Sequence, residues 1–212
     1  MEEKTISNKC KIYFIYTVLF AIICFAIYSI FLLQGKGFIW QDDGFNQHFP
    51  ILYNFNEIIR NSIHNGISTF SWNLGLGMDI IGQYSYYILG DPFAYLSLLF
   101  PMNKLELAYG ILIFVRMYFI GIAFIKYCKY NKKSTFNTLL GTIIYTFCGF
   151  ATFAGTRHPF FLNALIMLPL VFLGIDKLYK ENKTILFMVM VTITAIMNYY
   201  FLYIITILAV IY

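Results

Sequence analysis

Charged residues are scarce in this chain. Only 12% of its 212 residues are Asp, Glu, Lys or Arg, whereas ordinary soluble domains carry about a quarter. Apolar residues make up 60% and aromatic residues 20%, so too little polar surface remains to cover a water-soluble particle. This composition excludes a disordered tail and almost any soluble enzyme. Nucleic acid is excluded as a partner too, because no polar segment carries the basic stripe that such binding needs.

Cysteine is also rare, and its positions exclude a disulfide scaffold. The chain has four cysteines without a CxxC spacing, Cys10, Cys24, Cys128 and Cys148. Two lie beside lysines, two lie inside apolar runs, and residues 34–104 contain none. We therefore expect reduced or buried thiols.

Long apolar runs are abundant instead, and they predict an all-α fold, a polytopic transmembrane helix bundle. About 20 apolar residues suffice for a helix to cross a hydrocarbon core of about 30 Å. The sequence predicts five spans and the opening of a sixth, at residues 12–33, 105–126, 136–154, 159–175, 184–197 and from 199 onward. Because the last apolar run continues to Tyr212, we expect residues 1–212 to be one transmembrane domain, the N-terminal part of a larger protein.

Lysine clusters set the expected orientation. They precede the first span and follow the second and fourth, at residues 4–11, 126–133 and 177–183. Such clusters are typical of cytoplasmic flanks. The sequence therefore predicts a multi-pass cell-membrane protein with a cytoplasmic N-terminus and an extracytoplasmic loop over residues 34–104.

This long loop is predicted to contain interfacial helices. Between residues 50 and 64, apolar residues recur at helical spacing and Pro50 suits the first helical turn. That pattern predicts an amphipathic helix on the outer membrane surface. Further along, Asp91 and Pro92 are typical of an N-cap and first position of a second short helix.

The first candidate site is the pair Asp42 and Asp43, with His48 close behind. It lies near the end of the first span, so its carboxylates should lie at the outer headgroups. One acid could act as a general base, or one could help to bind a divalent cation. The alternative is a solvated turn, because Asp-Gly is a common turn pair.

Three cationic or cation-forming residues form the next candidates. Arg157 and His158 stand in a short external turn, where positive charge is sparse, so an anionic group such as a lipid phosphate would be a natural partner. The alternative is snorkelling to headgroups. Arg116 lies in the middle of the second span, where a charge is costly and needs a partner. That partner is either an anionic substrate or a buried structural ion pair.

The last candidate is Trp72, which opens a glycine-containing, aromatic segment of the loop. Its indole ring could stack on a sugar, or it could belong to an interfacial aromatic belt. The segment lacks the GxGxxG spacing of a phosphate-binding loop.

Three strings of residues resemble a known family. They are FIWQDDGFNQHFPIL from Phe38, SWNLGLGMDIIGQYSYYILGDPF from Ser71 and GTRHPFFLNALIMLPL from Gly155. Through them the chain closely resembles the bacterial YfhO family of large membrane proteins, which is similar to the C-type glycosyltransferases. The resemblance implies a polyprenyl-phosphate sugar donor and a catalytic acid in the first external loop, at Asp43. Asp42 stands where the family often has no acid, and Arg157 and His158 match its Arg-His-Pro turn.

The residues and the resemblance together predict an inverting membrane glycosyltransferase acting on an envelope polymer such as lipoteichoic acid. Asp43 would deprotonate the acceptor, and Arg157, His158 and Arg116 would stabilise the lipid phosphate. The sequence assigns no cofactor, and a divalent cation stays an open alternative. Two other functions remain: a transporter or flippase of lipid or polymer, and a scaffold for envelope assembly.

Overall fold

The computed structural model describes residues 2–66, 69–72 and 74–212, and only the backbone at residues 2–10, 64 and 65. The described chain is an all-α bundle, which confirms the predicted fold class. Its helices are α1 Glu2–Leu33, α2 Phe49–Asn65, α3 Ile80–Tyr84, α4 Pro92–Tyr95, α5 Leu105–Tyr130, α6 Thr135–Thr146, α7 Gly149–Arg157, α8 Leu162–Glu181, α9 Ile185–Met197 and α10 Tyr199–Ile211. One antiparallel pair of two-residue strands, β1 Phe70–Ser71 and β2 Met78–Asp79, lies in the long loop.

Three segments are long and apolar enough to cross a membrane: residues 11–33, 102–130 and 159–181. They coincide with the first, second and fourth predicted spans. The third predicted span is the pair α6 and α7, bent by 42° at the break between them. Together they supply up to four spans among the described residues.

The predicted fifth span and the opening of the sixth form a hairpin of two apolar helices, α9 and α10. α9 has 13 residues, which is about 20 Å of helix against a hydrocarbon core of about 30 Å. Asn198 makes the turn between the two helices, because its side chain accepts hydrogen bonds from the backbone N–H groups of Tyr200 and Phe201. The chain therefore turns between the predicted fifth span and the opening of the sixth, and α9 is shorter than the other candidate spans.

Helix α5 is the centre of the bundle and packs chiefly against α8 and α6. A side chain at Gly121 would collide with the ring of Tyr16 from α1. That close approach lets the Tyr16 hydroxyl donate to the Tyr118 carbonyl at 3.0 Å. The bundle has a loop end, where α1 ends and α5 begins, and an opposite end that carries the lysine clusters.

The long loop is folded and enters the bundle. Helix α2 forms as predicted, and its buried Asn56 donates to the hydroxyl of Ser97 at 2.7 Å. Arg60 of α2 donates to the carbonyls of Leu98 and Phe100. Polar contacts therefore bind α2 to the segment that follows α4; its place on a membrane surface stays a prediction.

Candidate functional site

The loop end of the bundle brings together a carboxylate and two imidazoles from distant parts of the sequence. A π-helical turn, Gly44–His48, has Asp43 at its start and His48 at its end. His158 follows α7 and precedes a 3₁₀ turn, Pro159–Phe161. His48 Nε2 lies 2.8 Å from His158 Nδ1, and His158 Nε2 lies 4.0 Å from Asp43 Oδ2. We call Asp43, His48 and His158 the Asp–His cluster.

The Asp43 carboxylate does not cap the helical turn that it precedes. Asp43 stands at the N-cap position but makes no side-chain capping hydrogen bond. In contrast, Asp79 and Asp91 cap their helices by accepting from the N–H groups of Gly82 and Phe93. The side chain of Asp43 is 37% exposed, so a reacting group can reach it.

The second acid of the predicted pair lies outside the cluster. Asp42 is exposed, and its backbone carbonyl accepts from the N–H groups of Phe45 and Asn46. Asp42 therefore helps to form the turn that places Asp43.

Aromatic rings enclose the two imidazoles. Phe161 stacks on His158 at 4.9 Å between ring centroids, Trp40 meets His158 edge-on at 5.7 Å, and Phe160 meets His48 at 5.3 Å. Burial, reinforced by the neighbouring His158, lowers the pKa of His48 to about 4. His48 is therefore neutral at pH 7, and one ring nitrogen of the pair donates to the other.

Arg157 lies next to the cluster and is held by aromatic faces. Its guanidinium carbon is 3.7 Å from the Phe153 ring centroid and 5.2 Å from that of Trp40. Among the described residues no carboxylate lies within ion-pair distance of it. Arg157 lines a cavity of about 590 Å³. Phe31 and the segment from Lys36 to Gln41 line the same cavity. Two cations and an apolar wall suit an anionic headgroup with a lipid tail.

Arg116 has a partner inside the bundle, as a charge at that depth requires. Its Nη2 donates to Asp91 Oδ2 at 2.5 Å, and both side chains are at most 6% exposed. We call Asp91 and Arg116 the inner ion pair. Arg116 stands eleven residues into α5, about 16 Å from its first residue, so the loop carries Asp91 deep into the bundle. Of the two partners expected for Arg116, the structure contains the buried ion pair. A contact between Arg116 and a substrate stays a prediction.

A small cavity lies between the cluster and the inner ion pair. It has a volume of about 40 Å³ and is lined by His48, Asp91, Tyr109 and Arg116 among others. His48 Nδ1, the Tyr109 hydroxyl and Arg116 Nε have no hydrogen-bond partner among the described residues. A cavity of this size with several polar groups in its wall has room for ordered water, which would satisfy such groups.

Trp72 lies in the β1–β2 hairpin and is 78% exposed. Its ring meets Phe70 edge-on at 5.0 Å, and a side chain at Gly77 would collide with it. Its described contacts do not reach the Asp–His cluster, and its sugar-stacking role stays a prediction.

Sequence reasoning missed two features of the site. Lys36 was overlooked because a single lysine after a span is common. Asp91 was recognised only as a helix cap, although the unpaired Arg116 was a signal that a loop acid must enter the bundle.

The comparisons with known proteins give a family and no characterised relative. No curated protein and no solved structure matches the chain. One family model, described as bacterial membrane protein YfhO, matches residues 14–212. That range includes α5 to α10, the long loop and every residue of the Asp–His cluster. The chain therefore belongs to the YfhO family of bacterial membrane proteins.

Proposed function

We propose that this protein is a membrane glycosyltransferase that moves a sugar from a polyprenyl-phosphate donor to an envelope polymer, such as lipoteichoic acid, on the outer side of the cell membrane. One observation carries the proposal: an uncommitted carboxylate, Asp43, lies beside His158, and the adjoining Arg157 lines a cavity with Lys36. A general base and a phosphate-binding charge are the two groups that the reaction needs at neighbouring points.

The parts of the site have complementary roles in an inverting transfer. Asp43 takes the proton of the acceptor hydroxyl as its oxygen attacks the anomeric carbon. The bond from that carbon to the phosphate oxygen breaks, and its electron pair leaves with the lipid phosphate. Arg157 and Lys36 stabilise the charge that develops there. Phe31 and Phe38 in the cavity wall suit the first isoprene units of the lipid.

The proposal includes an orientation. The loop end faces the outside, the lysine clusters face the cytoplasm in accord with the positive-inside rule, and the donor is used from the outer leaflet. A flippase would need the same charges but would return the donor intact, so the fate of the sugar distinguishes the two functions.

Asp43→Asn tests the catalytic assignment. The amide nearly preserves shape but removes the basicity, and a positioned general base is typically worth about 10²–10⁴ in rate. In a strain that lacks the gene, the full-length wild-type protein should restore envelope sugar, and Asp43→Asn should reduce it at least about 100-fold per folded molecule.

The matched control is Asp42→Asn, which makes the same chemical change one residue away, on an exposed side chain outside the cluster. It should keep most of the envelope sugar. Normal sugar content with Asp43→Asn would remove Asp43 as the base.

A further inference from the structure

We propose that Asp43, His48 and His158 bind one divalent transition-metal ion of the zinc class. Each of the three side chains offers a ligand atom, and these atoms all lie within 4.8 Å of one another. Among the described residues, these three form the set of His, Cys, Asp and Glu side chains whose ligand atoms lie this close together. Nothing in the proposed transfer reaction by itself requires two histidines at this place.

The distances suit such an ion after a small adjustment. Zinc lies about 2.0–2.2 Å from nitrogen and oxygen ligands in a tetrahedral arrangement, which separates ligand atoms by roughly 3.3 Å. His48 Nε2 and His158 Nδ1 are slightly closer than this, at 2.8 Å. The 4.0 Å gap to Asp43 starts from the other ring nitrogen of His158, Nε2. With one ligand atom from each residue, all separations are at most 4.8 Å. A bound ion would replace the ring-to-ring hydrogen bond and draw the Asp43 carboxylate inward.

The donor set selects the kind of metal. Imidazole nitrogen with one carboxylate suits zinc and related transition ions, whereas Mg²⁺ and Ca²⁺ prefer oxygen ligands. Three protein ligands leave at least one coordination position open, as in catalytic zinc sites. The Asp43 and His158 side chains are 37% and 24% exposed, so that open position is accessible from the loop end.

The surroundings hold the ligands in place. His48 is 8% exposed, and the rings of Phe160, Phe161 and Trp40 pack on the two imidazoles. The two histidines are 110 residues apart in the sequence, so the ligands come from two distant parts of the chain. An ion at this point would tie the first part of the loop to the α7–α8 turn.

The purpose of the ion rests on the proposed function. A divalent cation beside Arg157 would bind a phosphate oxygen of the lipid donor and act as a Lewis acid. One carboxylate oxygen of Asp43 could then face the ion while the other accepts the acceptor's proton.

The test is zinc binding by the purified full-length protein, in a background in which the cysteines are replaced by serine and after treatment with EDTA. We expect the chain to bind one Zn²⁺, measured by calorimetry and elemental analysis. His48→Ala, His158→Ala and Asp43→Asn should each weaken the affinity at least about tenfold, since even residues that only support ligands typically cost 10–100-fold. Mg²⁺ in excess should not displace the zinc.

Asp42→Asn is the control and should bind Zn²⁺ like the parent. Asp43→Asn preserves shape, so its effect does not depend on whether the histidine variants fold. Equal zinc affinity in the parent and in all three cluster variants would overturn the proposal, as would a parent chain that binds no zinc. The readout is binding, not sugar transfer; a chain that binds zinc through these residues but transfers no sugar supports the metal site and contradicts only the proposed function.

Discussion

The long loop delivers one aspartate to a sealed ion pair and another to an open cluster. Asp91 meets Arg116 at 2.5 Å with almost no exposure, and it also caps α4. Asp43 lies 4.0 Å from His158, is more than a third exposed and caps nothing. The two side chains of the inner ion pair are already bound to each other, whereas the Asp43 carboxylate is available to bind a proton, an ion or a substrate.

The difference separates a charge that is paired within the fold from one that is available for the proposed chemistry. An arginine in the middle of a helix that spans the membrane is costly unless it is paired, so Asp91 makes the Arg116 position tolerable. A loose and accessible carboxylate contributes little to stability. Charge alone therefore does not identify a reactive residue; the combination of charge, exposure and missing partners does.

The largest expected effect comes from breaking the inner ion pair on one side. Arg116→Met leaves Asp91 buried without its partner, and removing one member of a buried pair typically costs about 3–5 kcal/mol. We expect a large loss of folded protein, measured by size-exclusion chromatography of the detergent-solubilised chain and by its melting temperature.

The double variant Arg116→Met with Asp91→Asn sharpens this result. Asparagine can still cap α4, and no unpaired charge remains, so the double variant should recover much of the folded protein that Arg116→Met loses. If Arg116→Met alone folded as well as the parent, the pair would not have the structural role assigned to it.

A smaller effect is expected at the cluster's neighbour, Arg157. Arg157→Ala should raise the apparent KM for the lipid donor roughly tenfold. A hydrogen bond to a charged group typically contributes about 1.5–3 kcal/mol, and the half-buried position of Arg157 favours the lower end of that range. Arg157→Lys should restore part of the affinity, since lysine keeps the charge but loses the planar fork. Folding should change little in either variant. An unchanged donor KM in Arg157→Ala would favour snorkelling to headgroups.

Much of the fold follows from local sequence. Apolar run length predicts the spans around α1, α5 and α8, and helical periodicity predicts α2. The break between the predicted fifth span and the opening of the sixth coincides with the turn at Asn198. Local sequence does not report how far the loop enters the bundle, because that depth depends on tertiary packing. One example is Gly90, where a side chain would collide with the backbone of Ile196 in α9.

Only part of the site could be predicted from the sequence. Asp43, Arg157 and His158 stood out because charges at the ends of spans are rare and because their strings resemble a family. The contact between His48 and His158 joins residues 110 positions apart, and no local pattern encodes such a pairing. The capping role of Asp91 was readable from Pro92, but the same residue's contact with Arg116 was not.

The proposed function requires that the loop end transfers sugar on the outer side of the membrane. The direct measurement supplies a labelled, short-chain polyprenyl-phosphate sugar to the outside of intact cells that lack the gene and carry the full-length protein. We expect label to enter the envelope polymer with the wild-type protein and not with Asp43→Asn. Incorporation that does not depend on the protein, or that occurs only when the donor is supplied on the cytoplasmic side, would contradict it.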